Sequence, residues 1–181
     1  MDTYIQKKYK EEVLPKLKEE FGLKNDLGAP YIEKVVLNMG LAEASGNKEV
    51  MEKAREQLAQ IAGQKPKNTK AKKAISNFKL RQGDQIGLMV TLRKKKAWDF
   101  LEKFIKIVMP RMRDFRGLSK TNFDANGNYS LGITEQILFP EIDYSKIDKI
   151  RGLVLSLVIK NSDKEKSARL MELLGVPFKK N

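Results

Sequence analysis

Apolar residues recur along this chain in two rhythms, every third or fourth position in some stretches and every second in others. The first stretch has helical spacing, with Tyr4, Ile5, Val13, Leu14 and Leu17 leading to Phe21 and Gly22. Asp2 or Thr3 can cap it, and Pro15 should kink or divide it. "NDLGAP" reads as a loop and "YIEKVVLNM" (31–39) as a strand. Asn47 opens a second helix with Val50, Met51, Ala54, Leu58 and Ile61 on one side, which Gly63 can stop. "QIGLMVTLR" (85–93) alternates as a strand. Lys94–Met109 follows as a helix carrying Trp98, Leu101, Phe104, Ile105 and Val108, with Pro110 beyond its end. A basic loop spans about 110–127; strands at 128–138 and 152–160 flank "PEIDYSKIDKI", and a last helix runs from Asp163 to about Leu174. No repeat or linker interrupts this order, so the expected fold is a single α+β domain over 1–181.

The strand rhythm separates two faces. Ile86, Leu88, Val90 and Leu92 oppose Gln85, Met89, Thr91 and Arg93; Val35, Leu37 and Met39 oppose Lys34 and Asn38. In 128–138, Tyr129, Leu131, Ile133 and Ile137 oppose Ser130, Gly132, Thr134 and Gln136. Such a sheet packs helices on one face and leaves the other polar and wet, as antiparallel sheets can.

Charge gives that wet face a meaning. The chain has 36 lysines and arginines against 23 acids, a net +13, so a polyanion is its natural partner. The cations are clustered: "GQKPKNTKAKK" (63–73) holds five lysines, and 57–83 holds six and Arg81 with no acid. An ordinary solvated face mixes signs; this one repels itself unless phosphates neutralise it. Further clusters are Arg93 to Lys96 at a helix N-terminus, where cations oppose the helix dipole, and Arg111, Arg113, Arg116 and Lys120 in the 110–127 loop.

Other chemistry is thinly represented. Without His or Cys, thiol and imidazole catalysis and the usual zinc ligand sets are excluded, and no phosphate-binding glycine loop appears. "DANGNYSLGITE" places Asp124, Asn126, Asn128 and Glu135 at calcium-loop spacing, but Tyr129 stands where glycine is required, so Asn126-Gly127 reads as a hairpin turn. Glu141, Asp143 and Asp148 suggest local ion pairing with Lys146 and Lys149 rather than a magnesium site. Trp98 reads as core. No cofactor is expected. No run approaches the ~18 apolar residues of a membrane span, the first residues resemble no targeting peptide, and the chain reads as cytoplasmic.

The blocks "LNMG", "GQKPKNTKAKKAISNFKLRQGDQIG", "VTLR", "MPRMRDFRGLS", "FDANGNYSLGITEQILFPEIDY" and "RGL", with the closing "GVPFKK", resemble in order and over essentially the whole chain the bacterial family of large-subunit ribosomal protein five. The resemblance implies a curved, mainly antiparallel sheet of about five strands with helices on one side. It implies a structural role in the central protuberance, with 5S rRNA on the other side of the sheet. By motif match the central RNA contacts fall on Asn38, Gln64 and Thr91. Lys65, Lys67, Thr69 and Arg93 surround them as further candidates. The stretch from Ala71 to Gly83, with Lys72, Lys73, Ser76, Lys79 and Arg81, corresponds to a loop that reaches peptidyl-site tRNA. Further implied partners are 23S rRNA, neighbouring 5S-binding ribosomal proteins and a small-subunit head protein across an intersubunit bridge.

The sequence departs from the family in three places. Ala42 replaces a frequent second glycine, "TLRKKK" replaces the commoner Arg-Gly, and "LSLVIKNSD" is more apolar than the usual final strand, so no RNA contact is assigned to it. A general RNA chaperone and a magnesium-dependent nuclease are the alternatives in function.

Overall fold

The computed structural model describes residues 3–42, 47–113 and 115–179. Asp2, one of the two candidate caps, lies outside them, as does Lys180 of "GVPFKK"; Thr3 makes no side-chain capping bond. The first helical stretch comprises α1 (Tyr4–Lys8), a π turn (Tyr9–Val13) and α2 (Leu14–Phe21), closed by Gly22 in the left-handed region. β1 (Tyr31–Gly40) and α3 (Lys48–Ala62) follow. Asn47 caps α3 by accepting from the Glu49 and Val50 amides, and Gly63 ends it at φ 61°. Next come β2 (Lys67–Lys70), β3 (Gln85–Arg93) and α4 (Lys95–Lys103), then a π turn (Phe104–Val108) and α5 (Met109–Arg111). β4 (Tyr129–Ile133), β5 (Leu153–Lys160) and α6 (Lys164–Leu174) complete the chain, α6 being capped by Asp163 and ended by Gly175.

Pro15, expected to kink or divide its helix, and Pro110, expected beyond the end of its helix, take up the same position. Each stands second in the helical segment after a π turn, Pro15 in α2 and Pro110 in α5. A proline has no N–H, and its ring presses on the carbonyl four residues back. Widening the preceding turn relieves both problems without ending the helix. The helical backbone therefore passes through Pro15, and Pro110 lies within the last turn rather than beyond it.

The five strands form one open antiparallel sheet in the order β2-β3-β1-β5-β4, which gives the expected α+β class. The chain gathers into two compact units, each discontinuous in sequence. The first comprises Met1–Val35, Leu92–Leu131 and Ser156–Asn181. Its core includes Leu17, Val35, Phe104, Tyr129 and Leu170, and Trp98 is buried at 5.4 Å from the Tyr9 ring. The second comprises Val36–Thr91 and Gly132–Leu155. There Leu37 and Met39 of β1, Leu88 and Val90 of β3, and Ala54, Leu58 and Ile61 of α3 are buried.

The expected strand 128–138 is shorter than its rhythm suggests. β4 stops at Ile133, and Gln136–Leu138 is a 3-10 turn. Gln136 is therefore not on the wet face. It is fully buried, donates Nε2 to the Lys149 carbonyl at 2.7 Å, and accepts from the Arg151 amide. The 110–127 loop is likewise tied down, with Leu118 bridged to Phe178 and Phe123 to Tyr129.

Candidate RNA interface

The stretch that joins α3 to β3 builds the polar face of the second unit. After Gly63 turns the chain, Gln64 folds back and donates Nε2 to the Thr91 carbonyl at 3.1 Å. Pro66 is buried, and the chain then runs antiparallel to β3, pairing Lys67 with Met89, Asn68 with Leu88 and Thr69 with Gly87. The register shifts between Thr69 and Lys70. Asn68 stands opposite inward-facing Leu88, so its neighbours Lys67 and Thr69 share the other face with Met89 and Thr91. Asn38 is exposed on β1, next to β3 in the sheet, while Thr91 is half-buried.

Two devices hold β2 in place. Arg55 of α3 grips Glu52 with one nitrogen (2.7 and 2.9 Å) and donates the other to Asn68 Oδ1 at 2.9 Å. Asn68 in turn donates Nδ2 to Gln85 at 2.5 Å. On the other face the Thr69 hydroxyl lies directly over Gly87. A Cβ on Gly87 would sit 2.8 Å from that oxygen and 2.8 Å from the Met39 carbonyl, so only glycine allows this approach. The sequence rhythm singled out neither Arg55 nor Asn68. Their only signal is the presence of polar residues facing each other across a helix and an edge strand.

The expected loop at 71–83 is an ordered hairpin. Ala71 and Gly83 close its base, with Ala71 N–H donating to Asp84 (2.8 Å) and Gly83 N–H to Ala71 (3.0 Å). Ile75 and Leu80 exchange N–H···O bonds of 2.9 and 3.1 Å around the turn Ser76–Phe78, and Lys79 follows at φ 51°. Residues 72–79, including Lys72, Lys73, Ser76 and Lys79, are all exposed, as is Arg81. So is Phe78, which sequence reasoning passed over because the basic residues around it drew the attention.

The cations divide sharply. Among the described residues, none of Lys65, Lys67, Lys70, Lys72, Lys73 and Lys79 forms an ion pair. Other cations do. In the first unit, Arg93 is bound to Glu33 at 3.0 Å, Lys120 to Glu172 at 2.9 Å, and Arg169 to Glu20 at 2.5 Å. The Arg93 hydrogen bond, with Lys34 and Lys160 nearby, holds the Glu33 carboxyl below the usual carboxylate range. Arg93 and Lys120, both expected as bare positive charge, are thus already neutralised.

The acidic stretches are structural. Asp124 accepts from the Asn126 and Asn128 amides (2.9 and 2.7 Å) and from Asn128 Nδ2 (2.8 Å), making "DANGN" a side-chain-braced turn before β4. Asp143 caps the turn Tyr144–Lys146. Asp148 forks onto Arg151, with two bonds of 2.8 Å. Among the described residues no cluster of three potential metal ligands forms, and no helix is long and apolar enough to cross a membrane.

Family comparison agrees with this geometry. Residues 25–81 match the family model for ribosomal protein L5, and 85–178 match the model for the C-terminus of the same ribosomal family. The chain belongs to the ribosomal protein L5 family. Its similarity to individual members extends over nearly their whole length. It is 50% identical over 176 residues to large ribosomal subunit protein uL5 of Caldanaerobacter subterraneus subsp. tengcongensis, covering 97% of this chain and 98% of that one. It is 50% identical over 180 residues to the same-named protein of Thermus thermophilus, covering 99% of both. With that of Desulfatibacillum aliphaticivorans it shares 51% over 176 residues, covering 97% of this chain and 98% of the relative. The L5 family is one of structural ribosomal proteins, and this member is not an enzyme.

Proposed function

We propose that this L5-family chain is a structural constituent of the large ribosomal subunit that binds 5S rRNA through the polar face of β1, β2 and β3. Asn38, Lys65, Lys67, Thr69 and Thr91 make the contact. Gln64 acts by fixing Thr91 and the entry to β2, and Arg93 lies at the end of the same strand. The hairpin from Ala71 to Gly83 contacts peptidyl-site tRNA through Lys72, Lys73, Ser76, Lys79 and Arg81, and other exposed loops meet a small-subunit head protein. The observation that carries the reading is the run of six lysines along β2 and its hairpin, none of which, among the described residues, forms an ion pair, on a stretch from 57 to 83 that holds no acid. A buried or inert role would leave that repulsion unrelieved, whereas RNA phosphates relieve it.

Capture of the tagged chain from cell lysate, with bound RNA sized on a gel, tests this. One RNA of 5S size is expected. Thr91→Val and Asn38→Ala should each weaken its binding by about 5- to 100-fold, because they leave RNA polar groups unpaired. A broad mixture of RNAs would favour a general chaperone, and shortened RNA in the presence of magnesium a nuclease; either sinks the proposal.

A further inference from the structure

We propose that Phe78 is a stacking platform for an unstacked nucleobase, so that the hairpin selects looped RNA over duplex. The inference rests on the reading of that hairpin as an RNA contact and adds what kind of RNA it takes. Phe78 is 76% exposed, whereas Phe100, Phe104, Phe123 and Phe139 are buried. An exposed apolar residue needs no explanation by itself, and Ile75 beside this turn is exposed too. Phe78, however, stands on a turn whose shape is fixed: the Ile75–Leu80 bridge closes it, and Lys79 sits in the left-handed region directly after it. Around it are Lys72, Lys73, Lys79 and Arg81, of which, among the described residues, none is in an ion pair. A phenyl ring set among free cations matches a partner that offers phosphates and flat apolar faces together. Nucleic acid does so; an acidic protein surface offers the charge without the faces. Base faces are hidden in a duplex and available where loops splay them out. Stacking on an aromatic side chain tolerates any base, which suits a contact that must accept many RNAs of one shape.

The test uses the full chain and two probes, unmodified tRNA and a fully paired RNA duplex with the same number of phosphates. Phe78→Ala should weaken tRNA binding by about 5- to 100-fold and leave duplex binding unchanged. The salt dependence should not change, since no phosphate contact is lost. Phe78→Trp should restore affinity, and its emission should be quenched by tRNA but not by duplex; Trp98, 8% exposed, is shielded from either. Equal losses on both probes, no loss, or full affinity in Phe78→Leu would overturn stacking, the last pointing to an apolar contact of the kind a protein makes. A variant with Ser76–Gln82 replaced by a Gly/Ser linker separates the two layers of the argument. Unchanged tRNA binding there would remove the hairpin as an RNA contact. A loss there without a loss in Phe78→Ala would overturn stacking alone.

Discussion

Lys94 is where side chain and backbone conflict most plainly. It caps α4 at φ 52° and ψ −132°, a region that glycine enters freely and a lysine only under strain. It is also a cation at a helix N-terminus, where the dipole favours anions. The backbone at Lys94 thus has a geometry suited to glycine, the residue that the family resemblance leads one to expect after Arg93. Lys94→Gly should therefore stabilise the protein by about 1 kcal/mol, the relief of strain exceeding the entropy that glycine adds to the unfolded chain. The check is a higher urea midpoint at unchanged slope; a lower midpoint would mean the conformation is not strained. Asp148 makes the opposite case, a well-placed charge. Its carboxyl is held well below its ordinary pKa, chiefly by the hydrogen bonds from Arg151, whose side chain is almost fully buried. A carboxyl lowered in the folded state contributes stability that is complete above its unfolded pKa of about 3.9 and is lost as pH falls through the folded value. Stability should thus hold to about pH 5 and decline below about pH 4. Asp148→Asn should cost on the order of 2 kcal/mol at neutral pH and flatten part of that acid decline. An unchanged acid limb would place the titration elsewhere.

At the scale of elements, the sequence was legible wherever side chains met the core in a steady rhythm. Leu88, Val90 and Leu92 alternate and are buried; the caps Asn47 and Asp163 and the stops Gly63 and Gly175 stand where their residue types demand. Legibility failed where a partner distant in sequence decides. β2 is four residues, Lys-Asn-Thr-Lys, with no apolar rhythm; it is a strand because β3 and Arg55 make it one. Gln136 follows the polar phase of β4, yet its buried amide is satisfied by the 149–151 backbone, and no pattern in 128–138 records that partner. The same logic gives Arg55 a role its charge conceals. It is a positioning residue, gripped by Glu52 and holding Asn68 on the face of β2 away from Lys67 and Thr69. Arg55→Ala should loosen β2 and lower 5S RNA affinity by about 3- to 10-fold, with the salt dependence unchanged because no phosphate contact is removed. Arg55→Lys, a cation without the fork, should rescue little. A shallower salt slope in Arg55→Ala would show that the arginine touches RNA itself.

Taken as a whole, the molecule separates its charge by use. Its acids are spent on the helices and turns: Glu49 on Lys53, Glu52 on Arg55, Glu102 on Lys106, Glu172 on Lys120. Such exposed pairs each contribute little to stability, but they leave the 63–81 run as the main concentration of uncompensated cations among the described residues. A polyanion that binds there releases condensed counterions, and each phosphate contact adds about 0.7–0.9 to the log–log dependence of affinity on salt. Lys65, Lys67 and Lys70 alone, with any one further cation, call for a slope steeper than about −3 on 5S RNA. The slope should also divide along the chain. Lys67→Ala combined with Lys70→Ala should make binding to 5S RNA less salt-dependent by about 1.4–1.8, while Lys72→Ala with Lys73→Ala should leave it nearly unchanged and act on tRNA instead. The reason is geometric: β2 lies against β3 on the polar face, whereas residues 72–79 stand beyond the Ala71–Gly83 base with every residue in solvent. If both double variants reduce the 5S slope equally, strand and hairpin form one continuous site and the division fails. If neither does, the lysines remain solvated in the complex and the polar groups Asn38 and Thr91 must supply the affinity on their own.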